Sequence, residues 1–245
     1  MRTIGTSILA FLMLAHAASA ADVGPLYRGT VTVTGREEPN RLVGFARTLA
    51  IVLTKVTGDP RLPATAAASA LLADPAPFVA GYSYRDLMAG IPVHDEQGSR
   101  ERPYALTVSF DPAKIDAAIA SLGAKPWTGV RPEVPVFLTV RPGGEPYVLL
   151  AAGEHGRDLR DSLAAASERL GIPLILPQSA PAGPPDNALT GALSWDDRAL
   201  GWTADWRFAW GGTVHRWRIE KVGFDDALRS GAAGTVQLLS GNGEP

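Results

Sequence analysis

Apolar and polar positions alternate most cleanly between Tyr104 and Phe110. Tyr104, Leu106, Val108 and Phe110 share one parity and Ala105, Thr107 and Ser109 the other, so the segment predicts a half-buried strand. The same period of two runs from Tyr27 to Val33, with Tyr27, Val31 and Val33 opposite Arg28, Thr30 and Thr32. Between these strands the period lengthens. Leu42, Phe45, Ala46, Leu49, Val52, Leu53 and Val56 recur at helical spacing from Pro39 onward, leaving Arg41, Arg47 and Lys55 for the solvent side. Gly58-Asp59-Pro60 ends that helix. An Ala-rich helix over Ala64 to Leu72, a helical turn over Pro75 to Ala80 and a strand over Gly81 to Leu87 are expected next, and the polar stretch His94 to Pro103 reads as a loop. Asp111 and Pro112 are an N-cap and a first helical residue, the stripe Ile115, Ile119 and Leu122 follows, and Gly123 closes the helix. The first half therefore reads β-α-α-β-β-α.

Lys125 to Pro135 is rich in proline and glycine and is read as a linker or hinge, with Trp127 covering the edge of one core. Beyond it, Val136 to Val140 is a near-continuous apolar run typical of a central strand, and Tyr147 to Leu150 is its return strand. Leu159, Leu163, Ala166 and Leu170 mark a helix ended by Gly171, and Leu174 to Leu176 a short strand. Ala188 to Leu193, Trp202 to Trp210 and Val214 to Ile219 read as strands, the last two joined by Gly211-Gly212. A short helix over Phe224 to Arg229 and a frayed tail complete the chain. The expected fold class is α+β, in two small sheet-and-helix units, the second with a Trp-rich antiparallel hairpin. The expected divisions are a signal peptide over 1–20, a first unit over 21–124, a linker over 125–134, a second unit over 135–239 and a flexible tail over 240–245.

The start of the chain changes this picture. Arg2, the apolar run Ile8 to Ala15 and the small-x-small pattern Ala18-Ser19-Ala20 are those of a secretory signal cleaved between Ala20 and Ala21. The apolar run has eight residues, whereas a bilayer span needs about 20. Cleavage would remove Arg2 and no acid, leaving 22 basic and 25 acidic residues. That balance argues against nucleic acid or an anionic membrane as a partner. The chain has no Cys, which excludes disulfides, thiolate metal sites, a cysteine nucleophile and a lipid anchor at the cleavage site. A soluble periplasmic product is expected, ahead of release to the medium, with no membrane insertion after cleavage.

Candidate chemistry is sparse. His94, His155 and His215 stand apart from one another, and His94-Asp95-Glu96 has no spaced partner that would make a metal site. Asp196-Asp197 and Asp225-Asp226 are adjacent acids of the kind found in turns and helix starts. Phosphate-loop, zinc-helix and serine-nucleophile motifs are absent from the sequence. No catalytic residue, metal ligand or cofactor is assigned. The feature that stands out is aromatic: five of the six Trp lie between positions 195 and 217. On a strand, Trp202, Trp206, Phe208 and Trp210 share one face, and Trp217 follows on the next strand. Such a face is either core under a helix or an exposed platform for an envelope glycan or protein.

The stretches LYRGTVTVTG from Leu26, RTLAIVLTKVTGD from Arg47, FVAGYSYRD from Phe78, LTVSFDPAKIDAAI from Leu106, GIPLILPQ from Gly171 and GWTADWRFAW from Gly201, with HRW and GFDDAL after them, resemble a bacterial envelope family, domain of unknown function 2066 (DUF 2066). The resemblance implies an exported protein of Gram-negative bacteria and carries over no catalytic residue. The function expected is a non-catalytic binding or adaptor protein of the cell envelope. The alternatives are a hydrolase of envelope glycan or peptide, using acids and His94, and a structural assembly subunit.

Overall fold

The computed structural model describes residues 24–91, 94–95, 98–99, 102–242 and 244–245. The signal segment, with Ala18, Ala20 and Ala21, lies outside them. The fold is α+β, as the two periodicities require. The first half contains β1 (Arg28–Thr34), α1 (Glu38–Thr57), α2 (Ala66–Ala73), β2 (Val79–Asp86), the two-residue strands β3 (His94–Asp95) and β4 (Gly98–Ser99), β5 (Pro103–Phe110) and α3 (Pro112–Ser121). Three of its strands form an antiparallel sheet in the order β1-β5-β2. Val31, Val33, Leu106, Val108 and Phe110 point to the face covered by Leu49, Val52, Leu53 and Val56 of α1 and by Ile115 and Ile119 of α3. The Asp111 side chain accepts from the backbone N–H groups of Ala113 and Lys114, as the Asp-Pro start of α3 predicts.

The second half contains β6 (Val134–Arg141), β7 (Tyr147–Val148), α4 (Arg157–Leu170), β8 (Leu174–Ile175), β9 (Leu189–Asp196), β10 (Gly201–Trp210), β11 (Thr213–Val222) and α5 (Phe224–Ser240). The strands make a mixed sheet in the order β11-β10-β9-β6-β7, with β8 also pairing β6. β6 runs parallel to β8 and β9, and the other pairs are antiparallel. The near-continuous apolar run of β6 puts it at the centre, where Leu138 and Val140 are fully buried. Both α4 and α5 pack on one face of this sheet, where Leu163 and Leu228 meet Leu138, Leu193 and Trp206.

Two expectations need correction. α5 runs to Ser240 instead of stopping at Arg229. Gly231 and Gly234 resemble breakers in the sequence, but they are small because indole rings lie against them. A Cβ on Gly231 would stand 2.6 Å from Trp206 and one on Gly234 2.7 Å from Trp217. Lys55, expected in solvent, is only 6% exposed. Its Nζ donates to the carbonyls of Arg28 at 3.0 Å and Pro25 at 3.4 Å, so the last turn of α1 is tied to the start of β1.

The segment between the halves is fastened to both. The Trp127 N–H donates to Val56 O at 2.6 Å, and the Arg131 guanidinium lies 4.1 Å from the Trp127 ring centroid. The same guanidinium donates to Leu170 O at 2.9 Å, to Gly171 O at 3.1 Å and to Lys55 O. One cation thus meets the carbonyl ends of α1 and α4, where the helix dipoles favour positive charge. Burial pushes its pKa down to about 10, so it stays charged at neutral pH. After α5, the Asn242 side chain donates to Thr57 O at 2.5 Å, bringing a third helix end to the same place.

Candidate functional site

Between the halves lies a cleft of about 610 Å³. One wall is the outer face of the three-stranded sheet, where Thr30 and Thr107 sit opposite each other across β1 and β5 and share a hydroxyl hydrogen bond of 2.9 Å. The other wall is α4 and the start of α5. Charged side chains from four elements meet here: Lys55 from α1, Arg85 from β2, Glu168 and Arg169 from α4, and Asp225 and Arg229 from α5. Four cations thus face two carboxylates. Partial burial lowers the Arg169 pKa, and repulsion by Arg229 and Arg47 lowers it further. Burial likewise lowers Lys55; Glu168 opposes this shift and Arg131 adds to it. Arg229 is paired with Asp226 one turn back on α5, whereas the Arg85 and Arg169 side chains make no hydrogen bond or ion pair among the described residues. The arrangement is suited to holding a ligand with negative charge: guanidinium forks match carboxylate or phosphate oxygens.

The residues singled out from the sequence are distributed differently. Trp206 and Phe208 are core, at 2% and 3% exposure. Trp206 donates its indole N–H to Ala227 O of α5 at 3.2 Å, and half-buried Trp217 does the same to Ser230 O at 3.2 Å. Half-buried Trp202 stands edge-on to Trp195, with ring centroids 5.5 Å apart. Trp210, at the hairpin end, is 46% exposed and stacks on Phe208. The row is therefore covered by α5 at Trp206 and Trp217, where that helix carries Gly231 and Gly234 and leaves the rings room.

The histidines and paired acids do not converge. His155 stands beside the Tyr147 ring, His215 faces Glu244 at 3.9 Å, and His94 begins β3 in a loop that is only partly described. Asp196 accepts from the backbone N–H groups of Arg198 and Ala199, which cap a turn and lower its pKa. Asp197 accepts from the Trp195 indole at 2.9 Å. Among the described residues no group of three His, Asp or Glu side chains could hold a metal.

The more open aromatic row lies in the first half. Phe45, Tyr82, Tyr84 and Tyr104 form a chain of edge-to-face contacts with centroid distances of 5.2, 5.9 and 5.9 Å. Arg41 lies over Tyr82 and Arg36 over Tyr104. Sequence reading missed this row because its members come from α1, β2 and β5. The cleft cations were missed for the same reason, since the nearest two of different elements, Lys55 and Arg85, are thirty positions apart.

No curated protein and no solved structure matches the chain. The likeness to DUF 2066 is overturned: the family whose model matches, over residues 20–128, is a different domain of unknown function, DUF8605. That match reaches from before β1 into the segment after α3, so it is the first half of this chain that is similar to DUF8605.

Proposed function

We propose that the chain is exported and acts in the periplasm as a non-catalytic binding or adaptor protein, taking a small anionic ligand in the cleft between its halves. The single observation behind this reading is the meeting of Lys55, Arg85, Arg169 and Arg229 with Glu168 and Asp225 in a cleft of about 610 Å³, where Asp226 pairs Arg229 and the Arg85 and Arg169 guanidinium groups have no acid partner among the described residues. That volume falls in the usual range for small-molecule pockets, about 300–1,000 Å³. Export rests on the signal pattern ending at Ala18-Ser19-Ala20.

Two measurements test it. N-terminal sequencing of protein recovered from the periplasmic fraction of a Gram-negative host should begin at Ala21; intact Met1 in the cytoplasm would refute export. Thermal-shift titration with citrate, glucose 6-phosphate and a neutral sugar should show stabilisation by the anions only. Removing the charge in an Arg85→Gln, Arg169→Gln double variant should abolish it. Equal responses in the double variant would refute the cleft as the site.

A further inference from the structure

A second surface lies on the far side of the molecule from α4 and α5. On that face of the larger sheet the strand registers bring side chains into rows. Phe137, Thr190, Arg207 and Arg216 are successive partners across β6, β9, β10 and β11, and Thr139, Ala192, Asp205 and Arg218 form the next row. Neighbouring strands are about 4.8 Å apart, so Arg207 and Arg216 stand directly opposite as like charges, an arrangement that destabilises a sheet by itself.

The two rows treat their charges differently. Arg218 is satisfied within the face, 2.7 Å from the Glu220 carboxylate and 3.5 Å from that of Asp205. The Arg207 and Arg216 side chains make no hydrogen bond or ion pair among the described residues. Beside them Thr190 keeps a buried Oγ1 without a hydrogen-bond partner. The small side chains of Thr139, Thr190 and Ala192 leave a shallow hollow of about 540 Å³ whose border includes Arg207, Arg216 and Arg218.

We propose that this sheet face is a docking surface for an acidic segment of a protein partner, with a carboxylate of that segment seated between Arg207 and Arg216. Charge complementarity selects the occupant. Two unneutralised guanidinium forks side by side match one carboxylate placed between them, and the face already uses carboxylates to hold its third arginine. The hollow over Ala192 gives room for an extended chain to lie close to the sheet. Asp205 and Glu220 repel acids from the second row, so the partner's charge is drawn to the first. The site is separate from the cleft and does not depend on it.

The test is isothermal titration of the full chain with an acetylated Glu-Ser repeat octapeptide, its Gln-Ser counterpart and an oligogalacturonate of similar charge. The Glu-Ser peptide is expected to bind, to weaken as salt rises and to lose at least tenfold in affinity in an Arg207→Gln, Arg216→Gln variant. An Arg85→Gln, Arg229→Gln variant in the cleft should bind it unchanged. The unliganded Arg207→Gln, Arg216→Gln variant should melt no lower than the parent, since a repulsion is removed, and Arg216→Gln alone on the exposed edge strand gives the same reading if the double variant folds poorly. Absence of peptide binding, binding that survives both substitutions, or equally tight binding of the oligogalacturonate to the same arginines would overturn the proposal.

Discussion

The two aromatic rows of this molecule have opposite fates. On β10 and β11 the indoles of Trp206 and Trp217 lie beneath α5, with their N–H groups bonded to its carbonyls. On β2 and β5 the rings of Tyr82, Tyr84 and Tyr104 run along the side of a sheet that α1 covers only in part, and Tyr82 is 49% exposed. Both rows obey the same strand alternation. The difference is the covering helix. α5 offers Gly231 and Gly234 where the rings arrive, so helix and sheet approach closely and the row becomes core. α1 offers Phe45 to Tyr82 and then the long Arg41 side chain, so the tyrosines stay at the rim with guanidinium groups over them. An aromatic row is a core or a surface according to what faces it.

The comparison can be broken most directly at Trp206. Trp206→Ala should cost about 3–5 kcal/mol, as expected for truncating a large buried ring, read as a lower midpoint in urea unfolding. A loss below about 1 kcal/mol would show that α5 does not depend on the ring. Gly231→Ala should cost about 1–3 kcal/mol by overpacking against the same indole, whereas alanine in an open helix interior would be favourable. Tyr82→Ala should cost about 1 kcal/mol or less, the scale of an exposed edge-to-face pair and a surface cation–π contact. Tyr84→Phe should be neutral or stabilising by up to about 1 kcal/mol, because its Oη is buried without a partner.

A fifth test uses pH. Tyr27, buried in the first core, donates to Asp116 at 2.7 Å. Burial first, then Asp116, holds its phenol protonated well above the ordinary value of 10.0. The folded chain keeps this proton where the unfolded chain releases it. The stability contributed by Tyr27 is therefore complete below pH 10.0 and declines as pH rises beyond it. Unfolding midpoints measured at rising alkaline pH should fall in the parent and fall less steeply in Tyr27→Phe. Identical slopes would show that Tyr27 titrates alike in both states.

Much of the fold follows from local patterns. The alternation from Tyr104 to Phe110, the Asp111-Pro112 helix start and the glycine stops at Gly58 and Gly171 each depend on a few neighbouring residues, and each is present. The length of α5 is not local. Gly231 and Gly234 weaken a helix in isolation and become favourable only against Trp206 and Trp217. Lys55 is similar: its spacing on α1 puts it on the polar side, and only the carbonyls of Pro25 and Arg28 explain its burial.

By itself the sequence determined most of the longer strands and helices, though not the length of α5 or the short pair β3 and β4, and with them the α+β class and the aromatic character of β10. Those properties arise from side-chain period and backbone preference over a few residues. Tertiary structure alone decided that Trp206 and Phe208 are core while Trp210 is exposed, that cations from α1, β2, α4 and α5 share one cleft, and that Arg207 stands opposite Arg216. Each of these depends on residues distant in the chain meeting through sheet register and helix packing, and no spacing along the sequence encodes that meeting.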